Sequence, residues 1–366
     1  MRVGFLTPWA VDDPAAWSGV VAPMFAALGR RTDAVPIRVP PTRHHVVDRL
    51  ATRLLGATGR RYLPDHGVAT SRRSAPAVTR AVEDAQVDVV LSVAASTALA
   101  FADVGRPVVE VGDATFRLLA GYYPLFTGLH ASARWQGEVL GRRSARRSAG
   151  FLLTSPWAAA SLTHDYGVAP GRVRVAPFGP CATSPTPPAG PRAGMPLRLL
   201  FVGSDWQRKG GDRALEVMAL LRARGVPCRL TVVGEGPDVP DGATRLGRVS
   251  PDRMVELYAT HDVLLEPARA NAGGVTLTDA TASGLPVVAT RTGGVPAIVD
   301  DGVTGFLVAP DRSVPESVDA LARLADPGVW HPMSRAARCR GAEELSWSRW
   351  ATTATELLAE VVGRSG

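Results

Sequence analysis

Asn271-Ala272-Gly273-Gly274-Val275-Thr276-Leu277-Thr278-Asp279-Ala280-Thr281-Ala282-Ser283-Gly284-Leu285-Pro286-Val287-Val288-Ala289-Thr290, followed by Gly293-Gly294, decides how the chain folds. A glycine pair precedes a stretch free of helix breakers, Val275 to Ser283. Gly284 stops that stretch, and an apolar run follows. Turn, helix, glycine stop and strand in this order make half of a βαβ unit. Glycines at a helix start let its free N–H groups and positive dipole end approach an anion. Gly273, Gly274, Val275 and Thr276 are therefore candidate anion ligands. Asp279 lies about one turn inside the helix and is expected to face a ligand's hydroxyls. A lone glycine pair could equally be an ordinary capped βα turn.

The same alternation extends outward from this stretch. Apolar runs at Val3–Leu6, Val87–Val93, Pro107–Val111, Phe151–Thr154 and Val173–Ala176 alternate with Ala-, Leu- and Arg-rich segments in the first half. Runs at Leu197–Val202, Arg229–Val233, Val263–Leu265, Pro286–Ala289 and Gly305–Val308 do so in the second. Runs apolar on both faces suit parallel strands buried between helices. The expectation is an α/β protein of two Rossmann-like, doubly wound domains facing a cleft at the carboxyl ends of their strands. A Pro-rich stretch near Pro185, Pro187, Pro188 and Pro191 breaks helix and strand and reads as a linker. The expected division is 1–180, a linker 181–196, 197–345, and a last segment 346–366.

Composition narrows the function classes. The chain has 366 residues, 46% hydrophobic and 20% charged, which suits two globular domains. Its net charge of +7 is uneven. Residues 1–180 hold 21 Arg against 13 Asp and Glu, whereas the second half is close to neutral. A basic first half fits an acidic acceptor or an anionic membrane face. The arginines lack interleaved aromatics, which argues against nucleic acid. Arg142, Arg143, Arg146 and Arg147 are spaced for one solvated helix face. Three scattered cysteines show neither metal spacing nor a disulfide framework. Met1–Leu6 enters an apolar run without a signal-peptide pattern, and no run approaches the roughly 18 apolar residues of a membrane span. The expected location is cytoplasmic, with room for peripheral contact at the inner membrane face.

Lys209 is the chain's only lysine and Asn271 its only asparagine. Both residue types use AT-rich codons, so their near absence points to a GC-rich coding sequence in which Arg replaces Lys. A slim point charge resists that exchange in a tight phosphate pocket. Lys209 follows Gly203 and the apolar run Leu197–Val202, and Arg208 sets a second cation beside it. Chance survival on a surface helix is the plain alternative for Lys209, as a solvent-facing side chain is for Arg208.

Asn271 to Val308 resembles the donor-binding signature of retaining GT-B glycosyltransferases, the large family commonly numbered 4 (glycosyl transferases group 1). The likeness rests on Gly284, Pro286, Val287, Val288, Gly293, Gly294, Asp301, Gly302, Gly305, Leu307 and Val308 in order. Phe201-Val202-Gly203 with Lys209-Gly210, Val232 to Pro237, and Leu246-Gly247 resemble upstream landmarks of that family. Trp17-Ser18-Gly19, Ser155-Pro156-Trp157, Asp165 to Val168 and Pro177-Phe178-Gly179 do so in the first half. Ser346-Trp347-Ser348-Arg349-Trp350 and the helix after it resemble the segment that crosses back to the first domain.

The resemblance implies a metal-independent, retaining, hexosyltransferase-type glycosyltransferase of carbohydrate or natural-product biosynthesis. It would use a nucleotide-diphosphate sugar donor, a small-molecule or glycan acceptor, and no cofactor. Donor binding would fall to Gly19, Gly203, Lys209, Asn271, Gly273, Gly274, Val275, Thr276 and Asp279, with Asp279 on the ribose and Asn271 on the sugar. Lys209 and Arg208 would neutralise the leaving diphosphate. The chain departs from the family in carrying Asn271 and Asp279 where a pair of glutamates is usual, and Ser204 where Arg is frequent. It also has no His at the end of Val108–Val111. Asp113 is the nearest polar group there, either catalytic or a cap on the next helix through the Thr115 N–H. No Asp-x-Asp and no histidine pair suggests a metal; the adjacent His44-His45 point apart. A nucleotide-sugar epimerase, a sugar-phosphate synthase or a non-catalytic nucleotide-sugar binder would share these features.

Overall fold

The computed structural model describes residues 1–40 and 45–364, so His44 lies outside the described residues. The chain divides into two compact units, Met1–Ala176 with Trp350–Gly366, and Pro177–Arg349.

The first unit holds one parallel sheet of β1 (Arg2–Thr7), β2 (Asp33–Arg38), β3 (Val89–Val93), β4 (Val108–Gly112), β5 (Gly150–Leu153) and β6 (Val173–Val175). Their order is β2-β1-β3-β4-β5-β6. The central strands are buried on both faces, as in Val89, Val90 and Leu91 at 0% exposure. Burying one such side chain contributes about 1.5–3 kcal/mol. The Arg142–Arg147 cluster lies on the helix Ala131–Arg147, with Arg142, Arg146 and Arg147 exposed and Arg143 half buried. Arg142 stacks over Tyr166, Arg143 over Phe101, and Arg147 donates to the Ala102 carbonyl. Trp350–Gly366 belongs to this unit: Arg174 pairs with Glu360 at 2.9 Å, and Leu357 lies against Gly150.

The second unit holds β7 (Leu197–Val202), β8 (Cys228–Val233), β9 (Ala243–Gly247), β10 (Val263–Glu266), β11 (Val287–Thr290) and β12 (Gly305–Val308). They form a parallel sheet in the order β12-β11-β10-β7-β8-β9. One apolar layer under the sheet includes Phe201, Val217 and Trp330; the other includes Tyr258, Leu277 and Leu285. The strand order reverses between β7 and β10, and ligands of doubly wound sheets bind outside the carboxyl ends at such a switch point.

The ten runs expected as strands all form strands, within a few residues at their ends. Edge strands β2 and β9 carry no such run, because an edge strand need not be apolar on both faces. β2 tolerates Pro36, and β9 is half exposed with Arg245 outward. The stretch 181–196, expected as a linker, is strapped onto the second unit instead. The Cys181 and Ala182 N–H groups donate to Asp279, the Ser184 N–H to Ser283, and Arg338 to the Pro185 carbonyl. Prolines break regular structure but do not prevent packing when neighbouring N–H groups find fixed acceptors.

Candidate functional site

The switch point of the second sheet gathers the chain's unusual residues. β7 ends at Val202, and Gly203 follows with its α-carbon against Lys209. A β-carbon on Gly203 would sit 2.8 Å from Lys209 Cβ, so only glycine lets the lysine lie over the strand end. Lys209 closes the one-turn helix Trp206–Lys209, which Asp205 caps by accepting the Arg208 N–H at 3.2 Å. Lys209 is buried at 8% exposure.

β10 ends in Glu266, which is 2% exposed. A buried charge requires partners, and Glu266 has three. Its Oε2 accepts from Lys209 Nζ at 2.9 Å and from Thr276 Oγ1 at 2.7 Å, while its Oε1 accepts from Asn271 Nδ2. Asn271 Oδ1 in turn accepts the Gly274 N–H at 3.0 Å. One carboxylate therefore ties together the only lysine, the only asparagine and the start of the helix Val275–Ser283. Gly274 caps that helix with φ +61°, where a β-carbon would also run into Ile298. Val275 and Thr276 open the helix, and their N–H groups are among those a helix leaves without an i−4 carbonyl. Arg208 is held beside this group by Asp205 at 3.2 Å and the Ala270 carbonyl at 3.0 Å. Arg269 braces the loop with two bonds to Asp212, at 2.7 and 2.6 Å.

Lys209, Arg208, Asn271, Gly203, Gly274, Val275 and Thr276 thus lie together, with Gly273 in the same loop. Asp279 does not stand open to a ligand. It is 6% exposed, and its carboxylate accepts the Cys181 N–H at 2.6 Å, the Ala182 N–H at 3.2 Å and the Tyr258 hydroxyl at 3.5 Å. Burial pushes its pKa up to about 7 against those donors. The shorter side chain, one methylene less than glutamate, stays beside its own helix and anchors the Pro-rich strap.

Glu266 and Arg269 were absent from the sequence reading. Glu266 had a visible signal, a carboxylate closing the apolar run Val263–Leu265 before Pro267. Its importance depends on β10 lying beside β7, and strand order cannot be read from one strand.

In the first unit, Asp113 follows β4, half buried, with no side-chain partner among the described residues. Desolvation raises its pKa to about 6. It does not cap the next helix: Thr115 does, accepting the Leu118 N–H at 3.3 Å. The loop after β1 carries three successive left-handed residues, Trp17 (φ +45°), Ser18 (φ +61°) and Gly19 (φ +90°). Two non-glycine residues held there store strain of order 1 kcal/mol each. Trp9 stacks on Trp17 at 6.1 Å. Among the described residues no three His, Cys, Asp or Glu side chains gather to hold a metal.

Two Rossmann-like units, each a parallel six-stranded sheet with its polar residues at the strands' carboxyl ends, define the GT-B class. The fold is that of sucrose-phosphate synthase from Thermosynechococcus elongatus, with a TM-score of 0.69, 17% identity and 99% of each chain covered. It is also that of an Anabaena protein, HepE, solved in complex with UDP, with a TM-score of 0.69, 16% identity, and coverage of 98% of this chain and all of that one. Residues 196–326 match the family model described as glycosyl transferases group 1. The D-inositol 3-phosphate glycosyltransferase of Acidothermus cellulolyticus is 32% identical over 235 residues, 56% of this chain. The match spans about half the length of that relative, 51%.

Proposed function

We propose that the chain is a glycosyltransferase that moves a sugar from a nucleoside-diphosphate sugar to an acceptor with retention of configuration, without a metal. The observation that carries this is the Lys209–Glu266–Asn271–Thr276 group at the switch point, beside the start of the helix Val275–Ser283. The family match, the relative named for inositol phosphate glycosyl transfer and the UDP complex of a protein with this fold support it. UDP is the first nucleotide to try, and an anionic acceptor fits the basic first half.

In this reading the diphosphate lies at the helix start. Lys209, Arg208 and the first helical N–H groups stabilise the charge that grows on it. Lys209 keeps its bond to Glu266, so the pocket presents a positioned donor and not a bare cation. The bond from the sugar's anomeric carbon to the phosphate oxygen breaks, and one to the acceptor oxygen forms on the same face. The acceptor's proton passes to the departing diphosphate. Asn271, 4% exposed and bonded to Glu266 and the Gly274 N–H, positions the loop that meets the sugar, and Asp113 orients the acceptor hydroxyl. Asp279 acts at one remove, fixing the strap and the helix on which the donor rests.

The test is a thermal-shift panel of UDP, GDP, ADP and dTDP, followed by turnover of the matching nucleotide sugars. A ligand at 100 times its Kd adds about 2.7 kcal/mol of stability. Stabilisation by one diphosphate, with release of that diphosphate when an acceptor is added, is the expected result. Binding without turnover would instead support a nucleotide-sugar binder, which the uncharged Asn271 and the occupied Asp279 favour.

A further inference from the structure

The helix Val46–Ala57 of the first unit wears its apolar residues outward. Val46, Leu50 and Leu54 are 70%, 52% and 60% exposed. They stand four residues apart, one above another on a single face over about 12 Å of helix. The face turned to the protein holds a charge among small and apolar residues. It carries Asp48, which is 5% exposed, accepts from Arg73 at 2.6 Å and takes the His45 N–H at 3.0 Å. Among the described side chains of this helix, Ala51 and Leu55 are half buried. A helix stabilised only by its own domain would bury Val46, Leu50 and Leu54 as well.

The charges beside the stripe are all of one sign. Arg49 and Arg53 are exposed and flank Leu50, and Arg60 and Arg61 follow the helix, also exposed. Asp48 is the only acid between His45 and Leu63, and Arg73 neutralises it. Alternating leucine and arginine on an outer face, with no carboxylate among them, is the pattern of a helix lying in a membrane interface. There the leucines enter the boundary of the acyl chains and the arginines meet anionic headgroups. In the denser cluster Arg142–Arg147, by contrast, Arg142 lies over Tyr166, Arg143 over Phe101, and Arg147 bonds the Ala102 carbonyl and Asp103. Among the described residues no helix is long and apolar enough to cross a membrane, so the contact would be to a surface.

We propose that the outer face of the helix Val46–Ala57, through Val46, Leu50 and Leu54 with Arg49 and Arg53, docks the first unit on an anionic phospholipid surface. The inference does not depend on the transferase reading, since it is measured without donor or acceptor.

The test is co-sedimentation of the full chain with vesicles of zwitterionic lipid alone or with roughly a third anionic phospholipid, a composition whose surface potential attracts basic segments. The wild type is expected to bind the anionic vesicles at least about tenfold more tightly, with the preference falling as salt rises. Leu50→Ser with Leu54→Ser, and separately Arg49→Gln with Arg53→Gln, are each expected to weaken binding about tenfold or more. The melting temperature should stay unchanged, because all four side chains are exposed. Arg30→Gln with Arg31→Gln removes the same charge from another exposed place and should leave binding within about twofold. Equal loss in that control would mean that overall charge, not this face, drives binding, and would overturn the proposal. So would the absence of binding to anionic vesicles. A wild-type dimer that the leucine variant converts to a monomer, with vesicle binding unaltered, would assign the stripe to a second copy and also overturn it.

Discussion

Replacing Lys209 and Glu266 separately and together divides what the pair does for folding from what Lys209 does for a ligand. Lys209→Ala leaves Glu266 at 2% exposure with Thr276 and Asn271 as its remaining partners. Stranding one member of a buried ion pair costs about 3–5 kcal/mol. The single variant should therefore lose a large part of its stability to urea, and its lost nucleotide binding would be uninformative. Lys209→Met with Glu266→Gln removes both charges while keeping both volumes. The buried ion is gone, and Gln can still accept from Thr276 or Asn271, so stability should return to within about 1–2 kcal/mol of wild type. Binding of a nucleoside diphosphate should not return. Loss of a charge-assisted bond to phosphate is worth about 1.5–3 kcal/mol, or roughly 10- to 150-fold in Kd. Calorimetric titration on the refolded double variant measures this directly. Wild-type affinity in a stable double variant would refute a phosphate role for Lys209 and leave it as a structural partner of Glu266.

Two titrations follow from the same geometry. Asp113 has its pKa raised to about 6 by desolvation, so as an orienting carboxylate it is ionised above that pH and neutral below it. Transfer rates should fall as pH drops through about 6, and Asp113→Asn should lower the plateau and remove that limb; an unchanged pH profile would exclude the role. Asp279 is ordinary near 3.8 when unfolded and about 7 when folded. Below about pH 4 both states are protonated. Between about 4 and 7 the unfolded state gives up its proton first, so the folded state loses ground as pH rises, by up to about 4 kcal/mol at 1.4 per unit. Asp279→Asn keeps an acceptor for Cys181 and Ala182 but cannot ionise. Its stability relative to wild type should therefore climb from pH 4 to 7 and then level off; a difference constant with pH would contradict the buried carboxylate.

Much of the fold was legible because buried parallel strands have to be apolar on both faces. That requirement made β1, β3 to β5, β7, β8 and β10 to β12 visible; of the half-exposed edges, β6 showed through its valines, and β2 and β9 were silent. Around the site, rarity marked Lys209 and Asn271, and glycine spacing marked the helix start. What joins them was not legible. Glu266 is one glutamate among several until the sheet order sets β10 beside β7. Asp279 carried a misleading signal: its place in the helix suggested a ligand, whereas the strap at Cys181 and Ala182, about a hundred residues away in sequence, takes up its oxygens. The outward stripe of the helix Val46–Ala57 was equally hidden, because periodicity shows that a helix has an apolar face but not which way it points.

The central claim is that the switch point of the second unit receives a nucleoside diphosphate beside Lys209. Because Lys209 is the only lysine, protein made with 15N-lysine gives a single backbone amide peak. Titrating UDP, GDP, ADP and dTDP in turn should move that peak saturably for at least one of them, and far less for the corresponding nucleoside. A peak that stays in place at millimolar concentrations of all four would contradict the account.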